Sequence, residues 1–229
     1  MKLGIMQPYF LPYLGYWQLM KAVDTYVVYD DVDYIKGGWI NRNNFLVQGK
    51  SKLYTFSLDN AGSYKLIKDI AIKDDFTNFK KLLQFNYAKA PFYKECTNLV
   101  ENIISNKDLG LGMFLYNSIK IVADYLDFST NIILSSKMQK NNNLKGKEKV
   151  IHICKLLGAD EYYNAIGGQE LYDKVEFLKN GIKLSFVKTN ITPYKQLKNE
   201  FVGGLSILDL LMFNSKEQVN EMLDNFELV

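Results

Sequence analysis

Two short polar and aromatic stretches contain the side chains of this sequence that are best suited to chemistry. The first, IMQPYFLPYLGYW, runs from Ile5 to Trp17. The second, YDDVDYIKGGWINRNNF, runs from Tyr29 to Phe45. Together they supply carboxylates for proton transfer, amides and hydroxyls for hydrogen bonding, and one guanidinium suited to phosphate.

The second stretch crowds Asp30, Asp31 and Asp33 within four positions. Repulsion between like charges raises the pKa of at least one carboxylate, which makes it an effective base near neutral pH. Asp30 or Asp31 is therefore the predicted catalytic base, and Asp30 is favoured because it ends a predicted strand. Two alternatives stay open, a solvated acidic turn and oxygen ligands for a divalent cation, and no metal ligand is assigned.

The same stretch continues with amides and cations that could complete a site. Arg42 is the only arginine in a chain whose other cations are lysines, which predicts a bidentate contact that lysine cannot make, a structural ion pair being the alternative. Asn41 or Asn43 is predicted to stabilise an oxyanion. The predicted substrate contacts here are Lys36, Trp39 and Arg42, with Lys36 and Arg42 on the phosphates.

The opening stretch offers uncharged hydrogen-bonding groups around a turn stiffened by prolines. Gly15 permits close approach at the start of the first predicted helix, where free N–H groups could receive a phosphate. The alternative is that the tyrosine rings are core residues with hydroxyls at the surface. The predicted substrate-binding residues of this stretch are Gln7, Tyr9, Tyr13 and Tyr16.

Three further positions could contribute chemistry with weaker signals. Gly167 and Gly168, in NAIGGQELY, lie between a predicted strand and helix and are assigned to substrate binding, although the spacing is not GxGxxG. The lone His152 lies in an apolar helical stretch and is predicted to be packed. Ser206 and Asp209 are predicted to form a helix-capping box.

The elements that must position these residues begin with strand Lys2–Gln7, helix Leu14–Val23 and strand Thr25–Asp30. Strands joined through a helix usually run parallel with a right-handed crossover. This arrangement places the loops 8–13 and 30–38 at the same carboxyl edge of the sheet, where open α/β sheets bind ligands.

The rest of the chain predicts two strands around the turn 48–50, a third strand in KDIAIK, and three helices between Asp75 and Asp127. The polar run 137–149 is predicted to be a surface loop or a lid. After it the pattern returns to α/β alternation. The predicted fold is α/β, a Rossmann-like, mostly parallel sheet forming a single domain over 1–229, with 75–127 as a helical insertion or subdomain.

Composition limits the classes of function. The formal net charge of the 229 residues is only +3 and the lysines are dispersed, so nucleic acid is not a favoured partner. No apolar run is long enough to span a membrane, and Pro8 and Pro12 interrupt any signal-peptide helix. The widely spaced Cys96 and Cys154 fit a reducing compartment and form no zinc motif. The expected location is the cytoplasm.

These residues resemble the WbqC-like family of bacterial polysaccharide-locus proteins over nearly the whole chain. The matching stretches are QPYFLPYLGYWQ, YDDVDYIKGGWINRN, ADEYYNAIGGQELY and GGLSILDLLM. The resemblance implies a cytoplasmic protein of O-antigen or similar lipopolysaccharide glycan synthesis. It also implies acyl or aminoacyl transfer to the amine of a nucleotide-linked amino-deoxy sugar, with an acyl or aminoacyl thioester as donor and an acyl-carrier protein as a candidate partner. No other cofactor is predicted.

A second likeness concerns the opening loop. FLPYLGYW is similar to the P-x-H-x-G-H loop of nucleotidylyltransferases, with Tyr13 and Tyr16 where that superfamily has histidines. The substitution removes groups that stabilise charge on the transferred phosphate. A nucleotidylyltransferase-like enzyme and a non-catalytic binding protein of a glycan pathway are therefore the alternatives to the N-acyltransferase.

Overall fold

The structure is a computed structural model that describes residues 1–198 and 200–229. Its main feature is a six-stranded sheet with parallel neighbours except at one edge, where the last strand is antiparallel. The strands of this sheet are β1 (Lys2–Met6), β2 (Thr25–Val28), β7 (Asn131–Leu134), β8 (Glu161–Ala165), β9 (Lys183–Thr189) and β10 (Phe226–Leu228). The remaining strands form two small antiparallel pairs, β3 (Arg42–Val47) with β4 (Lys50–Thr55), and β5 (Leu58–Asp59) with β6 (Ala71–Ile72).

The order of the main sheet is β10-β9-β8-β1-β2-β7. The chain builds outward from β1 through β2 to β7, then returns to the other side of β1 and continues through β8 and β9. The direction of winding therefore reverses between β1 and β8, and open α/β sheets bind ligands at such a reversal, beyond the carboxyl ends of the strands. The predicted α/β, mostly parallel sheet is confirmed.

Eight α-helices lie in the described part of the chain, and the first begins at Leu14 as predicted and ends two residues early, at Lys21. Between β2 and β7 the chain inserts both small sheets and three helices, as predicted for 75–127, while the division into domains stays a prediction. The helices are α1 (Leu14–Lys21), α2 (Thr77–Tyr87), α3 (Tyr93–Ile104), α4 (Leu111–Tyr125), α5 (Gly146–Leu156), α6 (Lys174–Lys179), α7 (Ile207–Phe213) and α8 (Lys216–Asp224).

The segment KDIAIK differs from its prediction as a strand. Only Ala71–Ile72 pairs as a strand, and Ile67–Asp69 forms a 3-10 turn. The reason is that the N–H groups of Ile67 and Lys68 donate to the carbonyls of Val32 and Asp30, 3.0 Å away in both cases. These bonds fasten the segment to the loop after β2 and bend it away from a regular ladder.

Two hydrophobic clusters cover the two faces of the sheet. Because side chains alternate along a strand, Tyr26 and Val28 join the cluster that also contains residues of α1, α7, α8 and the insertion. Val27 joins the opposite cluster, which packs against α5 and α6. The core is thus layered on both sides of the parallel strands and leaves their carboxyl ends for the loops. No helix in the described ranges is long and apolar enough to cross a bilayer.

Candidate functional site

A cavity of about 540 Å³ opens at the carboxyl end of β1, a volume typical of small-molecule sites. It lies between the loop that follows β1, the segment that precedes β3, and the chain before α7. None of its lining residues carries a formal charge. We call it the tyrosine cavity, and its lining is Met6, Gln7, Pro8, Tyr9, Tyr13, Ile35, Gly38, Trp39, Ile40, Asn43 and Gly204.

The loop after β1 is held in place by Asn43. The Asn43 amide nitrogen donates to the carbonyl oxygens of Phe10 at 3.0 Å and Leu11 at 2.6 Å, which uses both of its hydrogens. Leu11 adopts the left-handed φ of +45°, and its carbonyl also accepts from the Ser206 hydroxyl at 2.8 Å. Asn43 therefore lines the cavity as a buttress, and its donors are not free for the predicted oxyanion role.

Gly15 lies where the sequence predicts a close approach. A Cβ atom at this position would lie 2.4 Å from the Thr189 hydroxyl oxygen and 2.6 Å from the Tyr13 hydroxyl oxygen. Both distances are below any tolerable contact, so glycine here lets β9, α1 and the cavity wall meet.

The free polar groups of the tyrosine cavity are donors. Burial raises the pKa of Tyr9 well above its usual value, and it also raises the pKa of Tyr13, partly offset by a hydrogen bond with Thr189. Both hydroxyls therefore stay protonated at neutral pH. The Tyr9 oxygen accepts from the Tyr13 N–H at 3.1 Å, which leaves its hydrogen available to a ligand. The Gln7 side chain, half-buried in the wall, makes no hydrogen bond within the described residues.

The segment before β3 and the first residue of β3, Arg42, together carry an aromatic ring and two cations. Trp39 is 51% exposed, and the Arg42 guanidinium carbon lies 5.8 Å from its ring centroid. The Arg42 Nε is buried without a hydrogen-bond partner, and Arg42 forms no ion pair with any described residue. Lys36 is exposed in the turn just before. The alternative of a structural ion pair for Arg42 is thus absent from the described part of the chain.

Besides Lys36 and Arg42, four more of the predicted residues, Tyr16, Asn41, Gly167 and Gly168, do not line the tyrosine cavity. Tyr16 is only 1% exposed and packs edge-on against the rings of Tyr9 and Tyr26 in the core. Asn41 accepts from the Tyr34 hydroxyl and donates to the Phe56 carbonyl, which is a structural arrangement. Gly167 and Gly168 follow β8, and a Cβ atom on Gly168 would lie 2.8 Å from the Asn164 amide nitrogen, so any larger residue there would have to displace the Asn164 side chain.

The predicted catalytic carboxylates lie in a different place, at the carboxyl ends of β2 and β7. Asp30 accepts from the Ser136 N–H at 2.9 Å. Asp31 accepts from the Ser135 hydroxyl at 2.6 Å and pairs with the ammonium groups of Lys140 at 2.7 Å and Lys149 at 3.4 Å. We call Asp30, Asp31, Lys140 and Lys149 the acid–lysine cluster. Asp30, Asp31 and Lys149 are buried residues, and the side chain of Lys140 is buried.

The two neighbouring aspartates have opposite pKa shifts. Burial raises the pKa of Asp30, and the nearby charge of Asp31 adds to the shift. Burial also opposes ionisation of Asp31, but hydrogen bonds from Lys140 and Ser135, together with both lysine charges, outweigh it and lower the pKa. Asp31 is thus a stabilised anion and a poor base, and neither carboxylate lines the tyrosine cavity. This geometry argues against the predicted base role.

The polar run 137–149 is anchored by the same cluster. Lys140 pairs with Asp31 and also donates to the Ser135 carbonyl. The Asn141 N–H donates to the His152 Nε2 at 3.2 Å. His152 thus secures a loop, and the run has the contacts of a fixed surface loop more than those of a lid.

Sequence reasoning missed several contributors because they lie far apart in the chain. Gly204 reaches the tyrosine cavity only through the tertiary fold. Ile35 also lines it, and an isoleucine just before the turn at Gly37 and Gly38 could have indicated an apolar wall there. Ser206 caps α7 as predicted, accepting from the Leu208 N–H. Asp209 does not complete a capping box. It is buried and accepts from Tyr87 at 2.8 Å and Tyr194 at 2.5 Å.

Comparison with known proteins identifies the family of this chain. The sequence profile of the WbqC-like protein family matches residues 7–221. The chain belongs to the WbqC-like family. This WbqC-like chain is also 28% identical over 218 residues to a Mycobacterium tuberculosis (strain ATCC 25618 / H37Rv) protein described as uncharacterized protein Rv1507c, and the match covers 92% of each chain. No solved structure matches it. No group of three or more His, Cys, Asp or Glu side chains within 1–198 and 200–229 is placed to hold a metal.

Proposed function

We propose that this WbqC-like protein is a cytoplasmic N-acyltransferase of bacterial O-antigen or related glycan synthesis. It transfers an acyl or aminoacyl group from a thioester to the amine of a nucleotide-linked amino-deoxy sugar. The observation that carries the proposal is the tyrosine cavity, whose uncharged lining lies beside the Arg42 guanidinium, which forms no ion pair with any described residue and whose Nε has no hydrogen-bond partner.

The two parts of the substrate suit these two environments. A deoxy sugar and an acyl chain are largely apolar with a few hydroxyl and carbonyl groups, which matches apolar walls bearing a few polar donors. A diphosphate requires cations, and Arg42 and Lys36 lie beside the wall formed by Trp39. We therefore assign the sugar and acyl groups to the cavity and the diphosphate to Lys36 and Arg42, at the start of β3.

The chemistry requires no covalent enzyme intermediate. The amine nitrogen, entering as the free base, attacks the thioester carbon, the C–S bond breaks, and the departing thiolate takes the proton that the nitrogen loses. Gln7, and the Tyr9 hydroxyl beside it, are the free donors able to stabilise the oxyanion that forms between these steps. Because no carboxylate lines the cavity, the reaction rate should rise with pH as the free amine accumulates.

The direct test is to incubate the protein with dTDP- and UDP-linked amino sugars and a panel of acyl and aminoacyl thioesters, and to follow product mass. We expect one pair to gain the mass of one acyl group. Gln7→Ala should then lower kcat by about a hundredfold, since losing one oxyanion donor typically costs that much. Gln169→Ala, an exposed glutamine outside the cavity, is the matched control. No mass gain with any pair, despite binding of the sugar nucleotide, would favour the non-catalytic binding protein.

A further inference from the structure

A second concave surface lies away from the tyrosine cavity, at the end of α7. It is a groove of about 640 Å³ between the α2–α3 turn, the chain 195–198 and Phe213. We call it the basic groove. Its lining residues are Lys89, Pro91, Lys195, Leu197, Lys198 and Phe213.

The charges of the basic groove are all positive and unpaired. Lys89, Lys195 and Lys198 are exposed, and none of them forms an ion pair or hydrogen bond with another described residue. None of the described residues that line the groove is acidic. By contrast, Lys80, which lies in α2 just before the groove in the chain, forms an ion pair with Glu101 at 2.7 Å. The groove therefore presents three free ammonium groups around an apolar floor.

The apolar part of this surface includes a residue with an energetically unfavourable backbone conformation. Leu197 adopts a left-handed φ of +53°, which disfavours residues other than glycine and often marks a functional position. Close to the groove in the chain, near the carboxyl end of α2 and four positions before Lys89, the Phe85 ring is 82% exposed. Exposed aromatic and branched side chains beside free cations are typical of a protein-binding surface.

Helix α7 connects the basic groove to the loop of the tyrosine cavity through hydrogen bonds at its two ends. The Phe92 N–H donates to the Met212 carbonyl at 3.1 Å, which fixes the α2–α3 turn at the carboxyl end of α7. At the other end of α7, Ser206 bonds the cavity loop through Leu11. Seven residues of helix span roughly 10 Å, so the groove and the cavity loop are attached to opposite ends of one short helix, a separation that a flexible arm can bridge.

We propose that the basic groove docks an acidic protein domain that carries the acyl thioester on a flexible prosthetic arm. This inference rests on the proposed function. A free coenzyme donor would bring phosphates of its own. Among the described residues, the cations that we assign to phosphate beside the cavity are Arg42 and Lys36, and the sugar nucleotide requires both. A carrier domain delivers the thioester without a second phosphate site. Three lysines are also too few for nucleic acid, whose binding usually neutralises a longer row of phosphates.

The test is binding of an acyl carrier protein bearing its phosphopantetheine arm, measured by fluorescence anisotropy without any turnover. The double variant Lys89→Glu/Lys195→Glu should weaken binding at least tenfold, and Phe85→Ser should weaken it in the same direction. The matched control is Lys179→Glu/Lys183→Glu, which makes the same charge change at exposed lysines on α6 and β9, and it should bind like the wild type.

Three results would overturn the inference: no binding by the wild type, equal weakening by the control variant, or equal displacement of the carrier by an oligothymidylate. The proposed function fails separately. Carrier binding without acylation of any amino sugar would remove the transferase and keep the groove, whereas acylation from free thioesters without carrier binding would do the reverse.

Discussion

The tyrosine cavity and the acid–lysine cluster lie at the same edge of one sheet. They differ in whether their polar side chains already have partners within the protein. The cluster contains four ionisable residues, and the Asp31 carboxylate forms ion pairs with both lysines, Lys140 and Lys149. No described residue that lines the cavity is charged. Within the described residues, the Gln7 side chain makes no hydrogen bond, the Tyr9 hydroxyl hydrogen is not donated, and Arg42 beside the cavity forms no ion pair. Side chains whose groups are already satisfied stabilise a fold, and groups left without intramolecular partners are the ones a ligand can use.

The largest effect should follow from removing Asp31, because two buried ammonium groups would lose their counter-ion. Asp31→Ala is expected to lower the free energy of unfolding by about 3–5 kcal/mol, as breaking a buried ion pair does. Urea unfolding at neutral pH measures this. Asp33→Ala is the control, since Asp33 is exposed without an ion pair, and it should change stability by less than about 0.5 kcal/mol.

The opposite outcome for Asp31 would reverse the comparison between the two regions. If Asp31→Ala folded with wild-type stability but lost acyl transfer, the cluster would be the reactive centre and the cavity a secondary site.

A smaller effect is expected from filling the space at Gly15. Gly15→Ala would drive Tyr13 and Thr189 apart and should cost about 1–3 kcal/mol of stability, the usual cost of overpacking. It should also weaken ligand binding because Tyr13 lines the cavity. Gly167→Ala is the matched control, because a Cβ there meets nothing within 4 Å. Thermal unfolding and ligand titration on both variants separate the two effects, and equal losses in both would refute the role of Gly15.

The sheet could be predicted because its signals are local. Lys2–Met6 and Thr25–Val28 are buried apolar strands separated by one helix, and the parallel crossover rule then places their loops at one edge. The same rule predicted that the stretches around Tyr9 and Trp39 would meet, and both line the tyrosine cavity.

What could not be predicted is which polar groups find partners. Asp31 looks like a base until Lys140 and Lys149, more than a hundred residues later, are placed against it. Asn43 looks like an oxyanion donor until the fold brings the Phe10 and Leu11 carbonyls to its amide. Hydrogen-bond pairing across such distances depends on tertiary structure, which a local pattern does not contain.

The contribution of the exposed Trp39 ring to ligand binding can be measured separately, because the other of the two tryptophans, Trp17, is buried. Trp39→Ala should weaken binding of a dTDP- or UDP-linked sugar about tenfold, or about 1.4 kcal/mol, with little loss of stability since the ring is 51% exposed. Trp39→Phe should retain most of the affinity. Nucleotide addition should quench the fluorescence of Trp39 and leave that of Trp17, which is fully buried. Quenching that persists in Trp39→Ala would exclude this ring as the contact.

The smallest effect should separate the two neighbouring aspartates by the sign of their pH dependence. The pKa of Asp31 is lowered on folding, so its stabilisation is present above its ordinary value and is lost as pH falls through the lowered one. The stability difference between wild type and Asp31→Asn should therefore shrink as the pH is lowered from about 7 to about 3.

Asp30 should behave in the opposite way, because its pKa is raised on folding. The wild type then loses stability as pH rises from the ordinary value through the raised one, and asparagine, which does not titrate, escapes that loss. Asp30→Asn retains an oxygen that can accept from the Ser136 N–H, so it should gain on the wild type with rising pH, by about 1 kcal/mol or less. Urea midpoints of both variants across this pH range measure the two slopes. Slopes of the same sign would mean that Asp30 is also held as a stabilised anion, and the cluster would then contain no carboxylate with a raised pKa.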